Sequence, residues 1–173
     1  VPFIATWKAG GVGDGDAADA GQTSHFPICH VDLFATFAEI LNVPMPQDGA
    51  EDSFSILPAL RGDPPAAATR LPMIHHDHKE GAPPKKSNHP TAAWLAIRMD
   101  DPVVEGVEVP GQWKLFVDEQ LLLGGKTNPR ELYDLRRDQR EATNLIEQPD
   151  LAKLVSYLAG ELTSIHNRGG IRK

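Results

Sequence analysis

Cysteine is all but missing from the 173 residues: Cys29 stands alone, which excludes an internal disulfide framework and a cysteine-rich zinc module. Long apolar runs are missing too. The longest, residues 1–5 and 92–97, fall far short of the roughly 18–20 residues that cross a bilayer as a helix, so no transmembrane segment is expected. Positive charge is scarce: 17 Lys and Arg stand against 24 Asp and Glu, a formal net charge of −7. Lys85-Lys86 and Arg136-Arg137 are isolated pairs, not a stripe that could follow a phosphate backbone, and this argues against a nucleic-acid partner. What is plentiful is Gly and Pro, fifteen of each, above their ordinary shares of about 7% and 5%. Short elements joined by long connections are therefore expected.

Residues 1–7 are apolar and partly β-branched or aromatic, and read as a buried strand. Neither an initiator Met nor a basic leader stands before them, so the strand is expected to be entered from upstream chain. Residues 8–23, rich in Gly, Asp and Ala without a hydrophobic period, read as a loop. Val31, Phe34, Phe37, Ala38 and Leu41 recur at three and four, with Ile40 widening the stripe, which predicts an amphipathic helix stopped by Asn42, Pro44 and Pro46. Asp32 falls in its first turn, where the helix dipole favours a carboxylate. A short helical turn should end at Gly62.

Residues 71–75 predict a strand running into His76-Asp77-His78, and residues 79–90 a loop. Residues 93–99 and 112–117 predict two strands paired antiparallel, separated by an acidic insert, residues 100–111, that is long for a hairpin loop. Residues 130–135 supply another strand and residues 136–144 a charged turn. Leu151, Leu154, Val155, Leu158, Leu162 and Ile165 trace one unbroken helical face, weakened at Gly160 by about 1 kcal/mol relative to Ala and ended by Gly169-Gly170. The second half reads as a small antiparallel sheet with a helix across one face.

Side chains able to do chemistry concentrate at His75-His76-Asp77-His78, with His89 further on. Along a strand His76 and His78 share one face and Asp77 points to the other. Three readings stay open: a metal site, which for zinc needs further ligands; a rim that touches substrate; or solvated loop histidines. Cys29 lacks the sequence context of a catalytic or redox thiol and reads as a bystander. Ser24 and Ser55 lack a nucleophile elbow, and Gly10-Gly11-Val12-Gly13 lacks both the Lys-Ser/Thr of a phosphate loop and the spacing of a dinucleotide fingerprint.

The order of segments carries a resemblance. Val1-Pro2-Phe3-Ile4-Ala5-Thr6-Trp7, His30-Val31-Asp32-Leu33-Phe34-Ala35-Thr36 leading into Ile40-Leu41, Asp52-Ser53-Phe54-Ser55, Ala96-Ile97-Arg98, Trp113-Lys114-Leu115, Glu131-Leu132-Tyr133-Asp134-Leu135 and Glu141-Ala142-Thr143-Asn144-Leu145 follow one another along the chain. This series resembles the C-terminal portion of arylsulfatase-type sulfatases, of the alkaline phosphatase superfamily. The resemblance implies an α/β fold in two parts. Residues 1–68 would be the end of a sulfatase/alkaline-phosphatase-like α/β domain. Residues 69–173 would be a small antiparallel sheet with a C-terminal helix packed on it.

For function, the resemblance implies that the intact parent is a sulfuric ester hydrolase. In that family a formylglycine, made from Cys or Ser in a Cys/Ser-x-Pro-x-Arg motif, attacks sulfur beside a calcium. Both formylglycine and calcium are expected upstream of residue 1, and none is expected to be bound by this chain. Cys29 is followed by His30-Val31-Asp32-Leu33, not by the maturation motif, so no catalytic or metal residue is carried over and the fragment alone is expected to be inactive. His75, His76 and His78, at the entry to the small domain, are the expected substrate-binding residues. The expected partners are a small-molecule or glycan sulfate ester and the missing N-terminal part of the same polypeptide. A periplasmic or secreted parent is implied by resemblance alone. Two other readings stand beside this one: a non-catalytic anion- or metal-binding module using the His75 to His78 cluster, and phosphate or phosphonate ester hydrolysis within the superfamily.

Overall fold

A computed structural model describes residues 3–13, 21–63, 72–77, 94–118 and 127–171, with Asp77 and Trp94 described by their backbones only. The chain divides into two compact units, Val1–Arg70 and Leu71–Ile171.

In the first unit, helix α1 spans Asp32–Ile40. Its end follows the expected chemistry, since Asn42 takes a positive φ of 53° and the Val43 amide bonds back to the Ala38 carbonyl at 2.9 Å. Helix α2 spans Leu57–Leu60 and closes at Gly62, whose φ of 85° suits a residue without a Cβ. Between the helices lies a buried polar hub. The Thr36 hydroxyl donates to the Asp32 carbonyl at 2.7 Å and accepts from the Ile56 amide at 3.0 Å, while Ser53 Oγ accepts from the Ala35 amide at 2.8 Å.

Two expectations for this unit differ from what is found. The apolar stripe of α1 faces outward, and the buried side is the small, polar one of Asp32, Ala35 and Thr36. Residues 3–6 are not a buried strand: Ile4 is 92% exposed, and Trp7 forms only an isolated bridge to Val12 around the 3₁₀ turn Lys8–Gly10. A strand is held by lateral hydrogen bonds, and among the described residues none forms a strand ladder with residues 3–6.

The second unit is a four-stranded antiparallel sheet of β1 (Met73–Asp77), β2 (Trp94–Asp100), β5 (Gln112–Asp118) and β6 (Pro129–Asp134), in the order β1-β2-β5-β6. The long insert between β2 and β5 folds as its own hairpin, β3 (Val103–Val104) against β4 (Val107–Glu108). Positive φ at both Glu105 and Gly106 matches the sheet's twist at a two-residue turn. At the end of β6 and in the loop after it, the side chains of Asp134 and Asn144 cap open amides. Asp134 Oδ1 accepts from Gln112 and Arg136 at 3.0 and 3.1 Å, and Asn144 Oδ1 accepts from Leu132 and Ile146, both at 3.0 Å.

Helix α3, Ala152–Arg168, follows a 3₁₀ turn at Pro149–Leu151. It buries Leu154, Leu158, Leu162 and Ile165 against the sheet face of Leu95, Ile97, Leu115, Val117 and Leu132, all buried. Gly169, in the left-handed conformation, ends it as expected. Gly160 lies exposed on α3, and a Cβ built there meets nothing within 4 Å. Gly160→Ala should therefore raise stability by about 1 kcal/mol, read as a higher urea midpoint with unchanged slope; a lower midpoint would refute this.

Candidate functional site

Strand pairing decides where the histidines go. Directly opposed residues in an antiparallel pair project to the same side. One row across the sheet reads Met73, Arg98, Lys114, Tyr133, and the next reads His75, Ala96, Phe116, Glu131. His76 pairs with Leu95 and so belongs to the opposite face, the one that carries α3. It is exposed there, while His75 is half-buried. Of the expected substrate-binding residues, the structure thus places His75 and His76 on opposite sides of β1. His78 and His89 lie outside the described residues.

The His75 face is a half-buried layer of charges over an aromatic floor. Phe116 and Tyr133 meet edge to face with ring centroids 6.0 Å apart, packed with Ala96 and Leu135. Lys114 Nζ sits 4.5 Å from the Phe116 centroid and 2.7 Å from Glu141 Oε1. Arg98, paired directly with Lys114 across the strands, would suffer like-charge repulsion there. It leans instead to Asp100, with Nε 3.7 Å from Oδ1. Asp100 also accepts a hydrogen bond from Gln112 at 2.8 Å; burial pushes its carboxyl up, against the pull of Arg98 and of that bond. Burial likewise raises the Tyr133 phenol, as does its 2.8 Å hydrogen bond to Glu131.

His75 titrates below its ordinary value of 6.5, first because it is desolvated and then because Lys114 and Arg98 repel a further positive charge, with Glu141 opposing. Above pH 6.5 the imidazole is neutral folded or unfolded and adds no pH dependence. As the pH falls below that, the unfolded chain takes up a proton that the fold resists, so stability drops until folded His75 also protonates. Urea midpoints measured between about pH 7.5 and about pH 5 should fall with acidification, and His75→Gln should flatten the curve in that window. An unchanged slope in the variant would disprove the assignment.

This layer can hold a neutral imidazole beside two cations already tied to carboxylates. Among the described residues no group of three or more His, Cys, Asp or Glu is arranged to hold a metal ion. Cys29 is half-buried ahead of α1, and its backbone amide donates to Asp32 Oδ2 at 2.7 Å. Sequence reasoning did not bring out the register of Arg98 with Lys114. The signal was partial: β5 sets Trp113, Leu115 and Val117 against Gln112 and Lys114, whereas β2 is apolar on both faces before Arg98.

No model of a known protein family matches the sequence, and no curated protein matches it. Solved structures do. A protein from Bacteroides thetaiotaomicron assigned as a sulfatase superposes with a TM-score of 0.53 at 22% identity, over 79% of this chain and 24% of its own. A protein solved in complex with its substrate D-glucosamine-2-N,6-O-disulfate gives 0.51 at 22% identity, over 79% and 23%. A 2-O glycosaminoglycan sulfatase gives 0.50 at 21% identity, over 79% and 24%. At these identities the likeness is one of fold. The chain spans about a quarter of the length of the structures it matches.

Proposed function

We propose that this chain is the C-terminal portion of a sulfatase, a hydrolase that breaks the S–O bond of sulfate esters with a formylglycine and a calcium carried elsewhere on the same polypeptide. The observation that carries the reading is the fold match over 79% of the chain to a part of sulfatase structures, together with the sulfatase-like phrases standing in one order along the sequence. On this reading residues 1–68 finish the α/β domain and residues 69–173 form the small C-terminal one. The residues present do not fit the family's two reactive groups. Calcium needs a cage of oxygen ligands, for which no acidic group is assembled among the described residues, and Cys29 stands outside a Cys-x-Pro-x-Arg motif. The 173 residues alone are therefore expected to be inactive.

The substrate class is a small-molecule or glycan sulfate ester, and sulfated amino sugars are the natural first probes given the ligand bound to one matched structure. Since β1 sends its neighbouring histidines to opposite faces, one binding surface takes only one of them. His76, being exposed, is the side chain assigned to contact the leaving group; His75 belongs with Arg98 and Lys114.

The test uses the full-length polypeptide, assayed with aryl sulfates, sulfated glycosaminoglycan oligosaccharides and the matching phosphate and phosphonate esters. Sulfate ester hydrolysis is expected to dominate. His76→Ala should raise KM about tenfold with kcat within about twofold, the loss of roughly one hydrogen bond of uniform binding. Turnover confined to phosphate or phosphonate esters would overturn the sulfatase reading, and unchanged KM across the panel would overturn the role of His76.

A further inference from the structure

Helix α1 is apolar on the side that the first unit leaves open. Val31, Phe34, Phe37 and Leu41 are 49%, 53%, 56% and 70% exposed. Phe34, Phe37 and Leu41 line a groove of about 430 Å³ with Val43, Pro44 and Pro46, and among the described residues no charged side chain lines it. A helix whose inner side is buried and whose outer side is also apolar has the pattern of one buried all round, and contiguous apolar surface of this kind marks an interface.

We infer that this face is the seam on which the rest of the catalytic α/β domain of the same polypeptide packs. The inference rests on the sulfatase reading. Two observations select this occupant over a second copy or a transient partner. The matched structures are about four times as long as the part this chain covers, so most of the polypeptide that accompanies this fold is still to be placed against it. The described lining of the groove is also apolar throughout, as in an obligate interface that resembles a domain core cut open.

The seam is tested by thiol labelling. Phe37→Cys and, separately, Leu41→Cys are placed in a Cys29→Ser background, both in the 173-residue chain and in the full-length polypeptide. Reaction with iodoacetamide is then followed peptide by peptide by mass spectrometry. Both thiols should label at least about 100-fold more slowly in the full-length protein, as at a site that reacts only on local opening. Hydrogen exchange of the unmodified residues 31–41 should slow in parallel, which covers the case of a variant that fails to fold. Equal rates in the two proteins would overturn the seam. So would slow labelling already present in the 173-residue chain, or protection that grows with its concentration, the mark of a second copy. Ester hydrolysis by the unmodified full-length protein separates the two claims: sulfate turnover with α1 still open removes the seam and keeps the sulfatase, whereas a shielded α1 without sulfate turnover keeps the seam and removes the sulfatase.

Discussion

Asp32→Ala is expected to destabilise the first unit by about 3–5 kcal/mol, because it strips the acceptor from two backbone amides held away from water. Asp32 is fully buried. Its Oδ2 accepts from the Cys29 amide at 2.7 Å and its Oδ1 from the Phe54 amide at 3.1 Å, so one carboxylate fastens the start of α1 to a segment more than twenty residues away in sequence. The position at the first turn adds a favourable dipole interaction of roughly 0.3–1 kcal/mol. Asp32→Asn keeps one acceptor oxygen but turns an NH₂ donor toward one of the amides, and an intermediate loss of about 1–3 kcal/mol follows. Urea unfolding of the full-length polypeptide checks both. A midpoint unmoved by Asp32→Ala would mean that water satisfies these amides and the hub is not structural.

The second large effect is expected at Leu158. This side chain is 0% exposed in the middle of α3, with Leu154 and Leu162 one turn to either side, over the buried apolar side chains of Leu95, Ile97, Leu115, Val117 and Leu132. Leu158→Ala should cost about 2–5 kcal/mol, the lost transfer energy plus the cavity. Leu158→Met, which keeps the volume, should cost less than about 1.5 kcal/mol. Unfolding of the 173-residue chain followed by the fluorescence of buried Trp113 reads both. Equal effects from the two variants would indicate a loosely packed seam between helix and sheet.

The elements were largely legible because their hydrophobic periods are. The 3.6-residue face of α3 and the alternation of Trp113, Leu115 and Val117 leave little choice of structure. The destination of an apolar face was less so. The period on α1 marked Phe34 and Phe37 but could not say that the unit would hold the helix from the other side, through Asp32, Ser53 and Thr36, by hydrogen bonds that have no periodic signature. Residues 3–7 were misread for a related reason: β-propensity reports fit to a pleated surface, and among the described residues none forms a strand ladder with them. At the candidate site, the opposite facing of His75 and His76 follows from alternation alone. The Lys114 to Glu141 contact joins residues 27 apart through a loop, and nothing in the local sequence announces it.

The order of the strands has a consequence during synthesis. Apart from the nested β3-β4 hairpin, each strand of the sheet pairs with the one made just before it, so pairing can proceed as the chain leaves the ribosome, without waiting for a strand from a distant part of the chain. The helix that covers the sheet's apolar side is made last, from Ala152 onward. A nascent chain stalled, or a message truncated, before that codon would present Leu95, Ile97, Leu115 and Leu132 bare to chaperones and proteases. The codons for residues 152–168 thus complete the cover over that apolar surface.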